Sequence, residues 1–284
     1  MASNTLAWWD VLCGIAAVNL LAWAASAWVL RRRRAAQAGD DGHPSRLLLL
    51  LSAGYVLGCA YRSAFPVFDV QRLVLVDSWL SSVIVGRTVA TVAELCFAAQ
   101  WAVLLDRAAF AVDSVPGRVV ARLVLPLIAS AEVCSWTAVL TTANLGHVFE
   151  ESLWGLSAAL VVVALVHVGM RCTREARLVI AACCVGGSVY VAYMFGVDVP
   201  MYWARWVADE AHGRPYLSLA QGFVDTSTRW VVSHRWDDWK TEVVWMSLYF
   251  SVAVWLSIGL VHAPLPRRVA PTQRLRARGS PSVA

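Results

Sequence analysis

The chain has 284 residues, of which 59% are hydrophobic and 15% are charged, and its formal net charge is +5. Soluble domains carry roughly 25% charged residues, so this composition excludes an ordinary soluble domain and indicates a protein embedded in a membrane. The positive charge comes mainly from arginines that flank apolar segments, where they set topology and contact anionic lipid headgroups. The expected partner is therefore the lipid bilayer, and no nucleic-acid partner is expected.

Seven apolar windows are about as long as the roughly 20 residues that a helix needs to cross the hydrocarbon layer. They lie near residues 7–30, 47–65, 81–105, 122–143, 152–170, 178–198 and 242–262. The second window is interrupted by Arg62 and stopped by Pro66, which leaves six spans as the alternative. We predict an all-α, multi-pass bundle of seven transmembrane helices forming one domain over residues 1–262. A basic, disordered tail is predicted at residues 263–284.

The distribution of arginine and lysine predicts the orientation of the chain. With the N-terminus outside, the inner segments hold 16 basic residues and the outer segments hold seven. No basic residue precedes the first window, and the block Arg31–Arg34 follows it, which is typical of a retained anchor rather than a cleaved signal peptide. We therefore predict an integral protein of the cell or inner membrane, with the N-terminus outside and the C-terminus in the cytoplasm.

The long connection at residues 199–241 is predicted to lie on the outer side and is rich in tryptophan. Indole prefers the headgroup level because it combines an apolar body with one N–H to satisfy. This pattern predicts one or two interfacial helices, which either anchor the domain or form a lid over an outward-facing cavity. Ten of the 15 tryptophans lie at or beyond the outer boundary: Trp8, Trp9, Trp79, Trp154, Trp203, Trp206, Trp230, Trp236, Trp239 and Trp245.

Two glutamates occupy the middle of apolar windows, in the similar tetrapeptides that contain Glu94 and Glu132. An ionisable group at bilayer depth costs roughly 2.5–3.5 kcal/mol on insertion scales and is by default a candidate functional group. The two windows are consecutive and therefore antiparallel, so the two carboxylates are expected to meet near the midplane. Arg87 lies two helical turns outward of Glu94 on the same face and supplies a counter-charge.

The predicted cluster of Glu94, Glu132 and Arg87 has one negative charge in excess if both acids ionise. A shared proton or a bound cation would balance it. The alternative is a structural ion pair of Arg87 with one glutamate that fixes helix packing. The repeated Glu-x-Cys spacing does not make a metal site within one helix, because Cys96 points away from the face of Glu94, and the identity of any metal is left open.

A second polar group is predicted at the outer mouth of the bundle. Asn144, His147, Glu150 and Glu151 surround the turn between the fourth and fifth windows, where they could bind a metal, relay protons or cap a helix. Two further residues would continue this path to water or serve as ordinary interfacial charges, namely Arg62 and Asp198.

No cofactor is predicted from the sequence. A retinal Schiff base needs a lysine inside the bundle, but the one lysine is Lys240 at the outer edge. Haem is disfavoured because the histidines lie near window ends or in loops. Phosphate-loop and dinucleotide motifs are absent from the sequence, and the seven cysteines fit neither a disulfide framework nor a zinc pattern.

Three functions remain open at this stage. The first is an intramembrane enzyme acting on a lipid-like or amphipathic molecule, with Glu94 and Glu132 as acid and base, Arg87 as electrostatic stabiliser and the tryptophan-rich segment as lid. The second is a proton- or cation-coupled transporter or channel that uses the same charges. The third is a receptor or a structural subunit of a membrane complex. The oligomeric state is not predicted.

Overall fold

The computed structural model describes residues 2–36, 43–172 and 174–263, with side chains for residues 4–33, 46–172 and 176–263. The structure is 82% helical, and seven of its helices are long and apolar enough to cross a membrane. This confirms the all-α class and the seven candidate spans. The orientation of the termini stays a prediction. Apart from Ala263, the predicted basic tail lies outside the described residues, as does the side chain of Arg34.

Eleven α-helices are present in the part of the chain that the structure describes. They are α1 (Ala2–Ala36), α2 (His43–Ala64), α3 (Val83–Ala111), α4 (Val115–Thr141), α5 (Leu145–Gly169), α6 (Arg174–Tyr193), α7 (Val199–Ala211), α8 (Leu219–Thr228), α9 (Trp236–Trp239), α10 (Val243–Leu248) and α11 (Val254–Leu260). A 3₁₀ turn covers Trp79–Ser81, and π-helical turns cover Met194–Asp198 and Tyr249–Ala253. The π turns join α6 to α7 and α10 to α11, so each pair forms one continuous candidate span.

The sixth candidate span is longer than the sequence predicts. It runs over Ala176–Ala211, so residues 199–211, which the sequence pattern assigns to the outer connection, continue the helix. The π turn that precedes Pro200 explains why the helix is not broken there. Proline lacks the backbone N–H that would bond one turn back, and local π geometry lets a membrane-spanning helix tolerate that loss.

The helices pack in sequence order, and the last span closes onto the first three. Each of α1 to α5 contacts the next helix along the chain, whereas α11 packs against α1, α2 and α3. The largest cluster of buried apolar side chains lies at this closure and includes Leu12, Tyr55, Ala93, Trp239 and Phe250. The final candidate span is thus held by α1–α3, while α6 and α7 are held by α5.

A three-stranded sheet, which the sequence does not predict, ties two connections together. Strand β1 (Val67–Phe68) pairs antiparallel with β2 (Leu73–Val74), and β2 pairs parallel with β3 (Val231–Val232). We call the end of the bundle that carries this sheet the sheet end. The strands are two residues long, which is too short for any periodic pattern to reveal them.

Arg72 fixes this sheet to the bundle. Its side chain is fully buried. Its backbone has a φ of 58°, a conformation that residues other than glycine seldom adopt. The guanidinium donates to Asp225 Oδ2 at 2.7 Å, to the Asp69 carbonyl at 2.6 Å and to the Val139 carbonyl at 2.9 Å. These acceptors come from three separate parts of the chain, so they offset the cost of burying the charge and lock the parts together.

Helix α8 lies directly on the end of α4. A Cβ atom on Gly222 would stand 2.0 Å from the backbone oxygen of Leu140, so the two backbones touch at this point. The amide of Leu217 also donates to the carbonyl of Thr141 at 3.0 Å. The tryptophan-rich segment is therefore packed on the sheet end through its own backbone.

Replacing Gly222 with alanine should destabilise the protein, because neither backbone can move aside for the new methyl group. We expect a loss of at least about 1–3 kcal/mol, the usual cost of overpacking. Gly259→Ala is the control, since nothing lies within 4 Å of the place that its methyl group would take and alanine favours a helix by roughly 0.5–1 kcal/mol. Apparent melting temperatures in detergent measure both changes, and equal shifts would contradict the close approach.

Asp225 should contribute stability that depends on pH. Burial alone would raise the pKa of Asp225, but hydrogen bonds from Arg229 and Arg72 outweigh burial and hold this pKa below its ordinary value. A carboxylate whose pKa is lowered by folding stabilises the protein above its unfolded pKa of about 3.9 and loses this effect as the pH falls through the folded value.

Asp225→Asn should therefore lower the melting temperature at pH 7, and the difference from the parent protein should shrink below about pH 4. Melting curves across this range test the expectation. A difference that stays constant with pH would show that the loss is steric rather than electrostatic.

Candidate functional site

Three glutamates converge on one nitrogen atom of Arg87. Its Nη2 donates to Glu132 Oε2 at 2.8 Å, to Glu94 Oε2 at 3.0 Å and to Glu150 Oε1 at 3.2 Å. The structure thus brings Glu94, Glu132 and Arg87 together as the sequence indicates. It also adds Glu150, which the sequence pattern places at the outer mouth. We call these four residues the Arg87 cluster.

Helical geometry explains why these four side chains meet. Arg87 and Glu94 are seven residues apart on α3, which is two turns, so they share a face. Glu132 lies roughly 14 Å from the end of α4, and Glu150 roughly 8 Å from the start of α5, at the rise of one helical residue. Because α4 and α5 are antiparallel and both of these ends are at the sheet end, the cluster occupies the half of the bundle nearest the sheet.

Side-chain donors orient two of the carboxylates from outside the cluster. Thr91 Oγ1 donates to Glu132 Oε2 at 2.6 Å, and Trp136 Nε1 donates to Thr91 Oγ1 at 3.0 Å. The hydroxyl of Tyr249 donates to Glu94 Oε1 at 3.0 Å. Glu94 and Glu132 therefore have different hydrogen-bonding environments, although both face the same guanidinium.

His147 extends the cluster toward the sheet end. Its Nδ1 lies 2.6 Å from Glu150 Oε2, and its ring stands 4.8 Å from the ring of Tyr202 on α7. The spacing of three residues places His147 and Glu150 on one face of α5, as the sequence indicates. Glu150 thus joins the imidazole to Arg87.

The cluster is buried and holds more negative than positive charge. The side chains of Arg87, Glu94, Glu132 and Glu150 are 7%, 13%, 4% and 5% exposed. Three ionised carboxylates against one guanidinium leave two negative charges in excess. One oxygen from each carboxylate lies within 4.8 Å of the other two. One nitrogen carries two hydrogens, so it cannot satisfy three carboxylates fully. Bound protons or a cation must balance the rest, since buried charge without a partner is costly.

Polar atoms without a partner also indicate that the side chains of the cluster do not fully satisfy one another. Glu132 Oε1 and Arg87 Nε have no hydrogen-bond partner among the described residues. Arg87 Nη1 faces Asp69 Oδ2 at 4.0 Å, which is beyond hydrogen-bond distance. Asp69 Oδ1 in turn lies 3.6 Å from Arg62, whose Nη2 donates to the carbonyl of Val67 at 3.2 Å. Arg62 therefore reaches the cluster indirectly, through Asp69.

The remaining predicted mouth residues separate into two groups. Asn144 stands apart from the cluster, makes no capping hydrogen bond and donates instead to Asp209 Oδ2 at 2.7 Å. Glu151 and Asp198 lie near the cluster but accept no hydrogen bond from Arg87. Asp198 is 5% exposed, caps no helix with its side chain and sits within the π turn between α6 and α7.

Several residues of the site could not be found from the sequence. Tyr249 approaches Glu94 because the last candidate span packs on the first three, which no local pattern reveals. Trp136 carries a weak signal, since it follows Glu132 by one helical turn. Both π turns contribute a residue to the site, Asp198 from one and Tyr249 from the other. Such turns are rare and occur frequently at functional sites.

A second charged pair lies between the cluster and the tryptophan-rich segment. Arg205 Nη2 stands 3.8 Å from Glu242 Oε1, and the guanidinium lies over the rings of Tyr202 and Phe68 at 5.2 Å and 5.7 Å. Burial raises the pKa of Glu242, and the nearby Arg205 reduces this effect without removing it. Glu242 thus takes up a proton more readily than a solvated glutamate.

Comparison with known proteins adds no family to this description. No protein-family model, no curated protein and no solved structure matches the chain. The site must therefore be understood from its own geometry.

Removing the charge of Arg87 should be costly, because three buried carboxylates would lose their shared partner. We expect Arg87→Met to lower the free energy of unfolding by about 3–5 kcal/mol. Adding Glu150→Gln should restore part of this loss, since one fewer carboxylate is then unpaired, with a coupling of about 0.5–3 kcal/mol. Chemical denaturation in detergent gives the free energies of unfolding of Arg87→Met, Glu150→Gln and the double variant, from which the coupling follows.

Arg118→Met is the matched control. Arg118 pairs at 3.1 Å with Asp113, whose side chain is 82% exposed, and such surface pairs contribute about 0–1 kcal/mol. If Arg87→Met cost no more than Arg118→Met, the carboxylates would already be neutral and Arg87 would not hold them together.

Proposed function

We propose that the chain is a proton-coupled membrane transporter and that the Arg87 cluster is its proton-binding site. The observation that carries this proposal is the convergence of three buried carboxylates on one guanidinium nitrogen. In a medium of low dielectric constant this arrangement keeps its charge balanced by exchanging protons.

A chain of proton-holding groups supports a relay from the sheet end. His147 contacts Glu150, the three carboxylates lie within 4.8 Å of one another, and the hydroxyl of Tyr249 contacts Glu94. A proton can therefore pass from the imidazole to the middle of the bundle between neighbouring polar atoms. No charged group has to cross an apolar gap in this half of the protein.

Protonation of the cluster can change helix packing. A glutamate that gains a proton no longer attracts the guanidinium strongly, so Arg87 on α3 would loosen its hold on α4 if Glu132 were protonated or on α5 if Glu150 were. Release at Glu94 would also alter its bond with Tyr249, which lies in the π turn of the last candidate span. A proton would thus bias the relative positions of α3, α4, α5 and α11, which is what coupling requires.

An intramembrane acid–base enzyme is the second candidate. Glu94 and Glu132 have different donors, Tyr249 for one and Thr91 for the other, and unlike environments are what an acid and a base need. In that mechanism Arg87 would stabilise charge on the substrate. Its single positive charge already faces three carboxylates, however, so little remains to stabilise negative charge on a substrate, and this favours the transporter.

Infrared spectroscopy tests the proton directly, without knowledge of a substrate. We expect the purified protein at pH 7 to show the carbonyl band of a buried, protonated carboxylic acid that shifts in deuterated water. Glu94→Gln, Glu132→Gln or Glu150→Gln should remove or displace it. Asp106→Asn is the control, because Asp106 is exposed at the other end of α3. A fully ionised cluster at every pH at which the protein stays folded would overturn the proposal.

Helix movement separates the transporter from the enzyme. Spin labels carried by unnatural amino acids at Val207 and Val244, both exposed, avoid the seven native cysteines. The distance between the labels should change between pH 5 and pH 8 in the parent protein and stay constant in Glu132→Gln. A protonated carboxyl without any distance change would favour the acid–base enzyme. Loss of stability alone in the glutamate variants would favour a structural role.

A further inference from the structure

The sixth and seventh candidate spans face each other mainly through side chains. Helices α6 and α7 pack on α5, whereas α11 and the π turn before it pack on α1 and α2. Two side-chain contacts between these bodies are defined among the described residues. The rings of Tyr193 and Trp245 stack at 6.2 Å with an angle of 3° between their planes, and Arg205 faces Glu242 at 3.8 Å. We call the boundary between the two bodies that these contacts cross, beside the Arg87 cluster, the lateral interface.

Acidic groups beyond the Arg87 cluster face this interface. Asp198 is 5% exposed, and it has no hydrogen bond or ion pair from its side chain in the described part of the chain. The charges that act on it come from three other helical segments and belong to Glu242, Glu150, Arg205 and His147. Asp198 is therefore buried near charged groups of these segments, and its own carboxylate has no partner among the described residues.

Glu151 strengthens the same negative field. It is half-buried and interacts electrostatically with Glu150 and Asp198. Against Glu151, Asp198 and Glu242, the interface offers the guanidinium of Arg205, which is already opposite Glu242. Three acids against one guanidinium leave two acids here that need protons or a bound cation, in addition to the Arg87 cluster.

Aromatic rings line the interface next to these acids. Trp245 also contacts Tyr249, at 5.3 Å between ring centroids, and Tyr202 lies beside His147. Ring faces attract organic cations, particularly when both partners are shielded from water.

We propose that the lateral interface binds an amphipathic organic cation, an amine or quaternary ammonium group on an apolar body, with its positive charge against Asp198 and Glu151. The aromatic rings of Tyr193, Trp245 and Tyr202 contact the apolar body. This proposal rests on the proposed function, since positive charge bound near Glu150 would favour release of a proton from the Arg87 cluster. It names the class of substrate that the transporter exchanges for protons.

Other ligand classes fit these residues less well. A divalent metal ion needs several oxygen ligands converging at about 2.0–2.6 Å. The one described group that could supply three such ligands is Glu94, Glu132 and Glu150, and Arg87 Nη2 already occupies its centre. An anion would be repelled by the unpaired carboxylate of Asp198. An amine with an apolar body satisfies both the charge and the rings.

The apolar surroundings provide a route for such a molecule. The sixth candidate span is the least buried of the seven, and Leu178, Val179, Val185 and Val189 of α6 are exposed, where they would face lipid. A membrane-dissolved amine reaches the acids by parting Tyr193 from Trp245, a stacking contact worth about 0.5–1.5 kcal/mol. The π turns at Met194–Asp198 and Tyr249–Ala253 lie close to this contact and interrupt the regular hydrogen-bond pattern on both sides.

Two ions of equal shape and opposite charge test the proposal. Tetraphenylphosphonium and tetraphenylborate are dialysed against the full chain in lipid nanodiscs, and binding to empty nanodiscs is subtracted. We expect saturable binding of the cation and none of the anion. Asp198→Asn and Glu151→Gln should each lower the affinity for the cation by roughly tenfold, as expected when a charge pair shielded from water is lost. Asp106→Asn should bind as the parent protein does.

The outcomes separate this inference from the proposed function. Equal binding of both ions, or unchanged affinity in both acid variants, would overturn the inference while leaving the infrared result intact. Cation binding without a protonated carboxyl would overturn proton coupling and keep the cation site. Proton release into weak buffer on cation binding would support both. If Mn²⁺ bound instead of the organic cation, and lost affinity in Asp198→Asn, the ligand would be a metal and the inference would be wrong.

Discussion

The shared nitrogen of Arg87 is the interaction on which the core of this bundle depends. One guanidinium joins α3, α4 and α5 through three carboxylates, at distances of 2.8–3.2 Å. Because the group is buried, its electrostatic energy is large and sensitive to each added or removed charge. Helix packing and protonation are therefore expected to be thermodynamically linked at this site, so that a change in one changes the other.

The rest of the sheet end can be understood as the frame that keeps this cluster shielded. Arg72 ties β2 to α4 and α8, and the contact at Gly222 seats α8 on the end of α4. The final span brings Tyr249 against Glu94 by packing on the other side. Ordered connections at this end thus cover the half of the bundle in which the side chains of the Arg87 cluster are buried.

The sequence predicts the class of fold and the centre of the site, for reasons that are physical. Glu94 and Glu132 pair in the prediction because both lie deep in consecutive apolar windows, where antiparallel helices must pass each other. Glu150 is assigned to the mouth because it lies little more than one turn into α5. The sequence does not predict how far the Arg87 side chain extends. Its length lets carboxylates at different depths, those of Glu132 and Glu150, bond to one nitrogen.

Other features lie beyond any local pattern. Residues 199–211 contain tryptophans and a proline, which are typical of an interfacial connection, yet the proline stands where a helix tolerates it. The sheet involves strands of two residues that are joined across more than 150 positions, and only the folded chain defines them. Tyr249 depends in the same way on how the last helix closes the bundle.

The stoichiometry of the cluster favours a site that binds positive charge over a packing device, and so it supports the proposed function. A structural ion pair needs one carboxylate for one guanidinium, and further buried acids reduce stability unless they are neutralised. Here three glutamates share Arg87, while Asp198, equally buried, has no partner in the described residues. Helix packing alone gives no reason for this excess. Groups that bind and release positive charge do, because the excess is what attracts the proton or the cation that balances it.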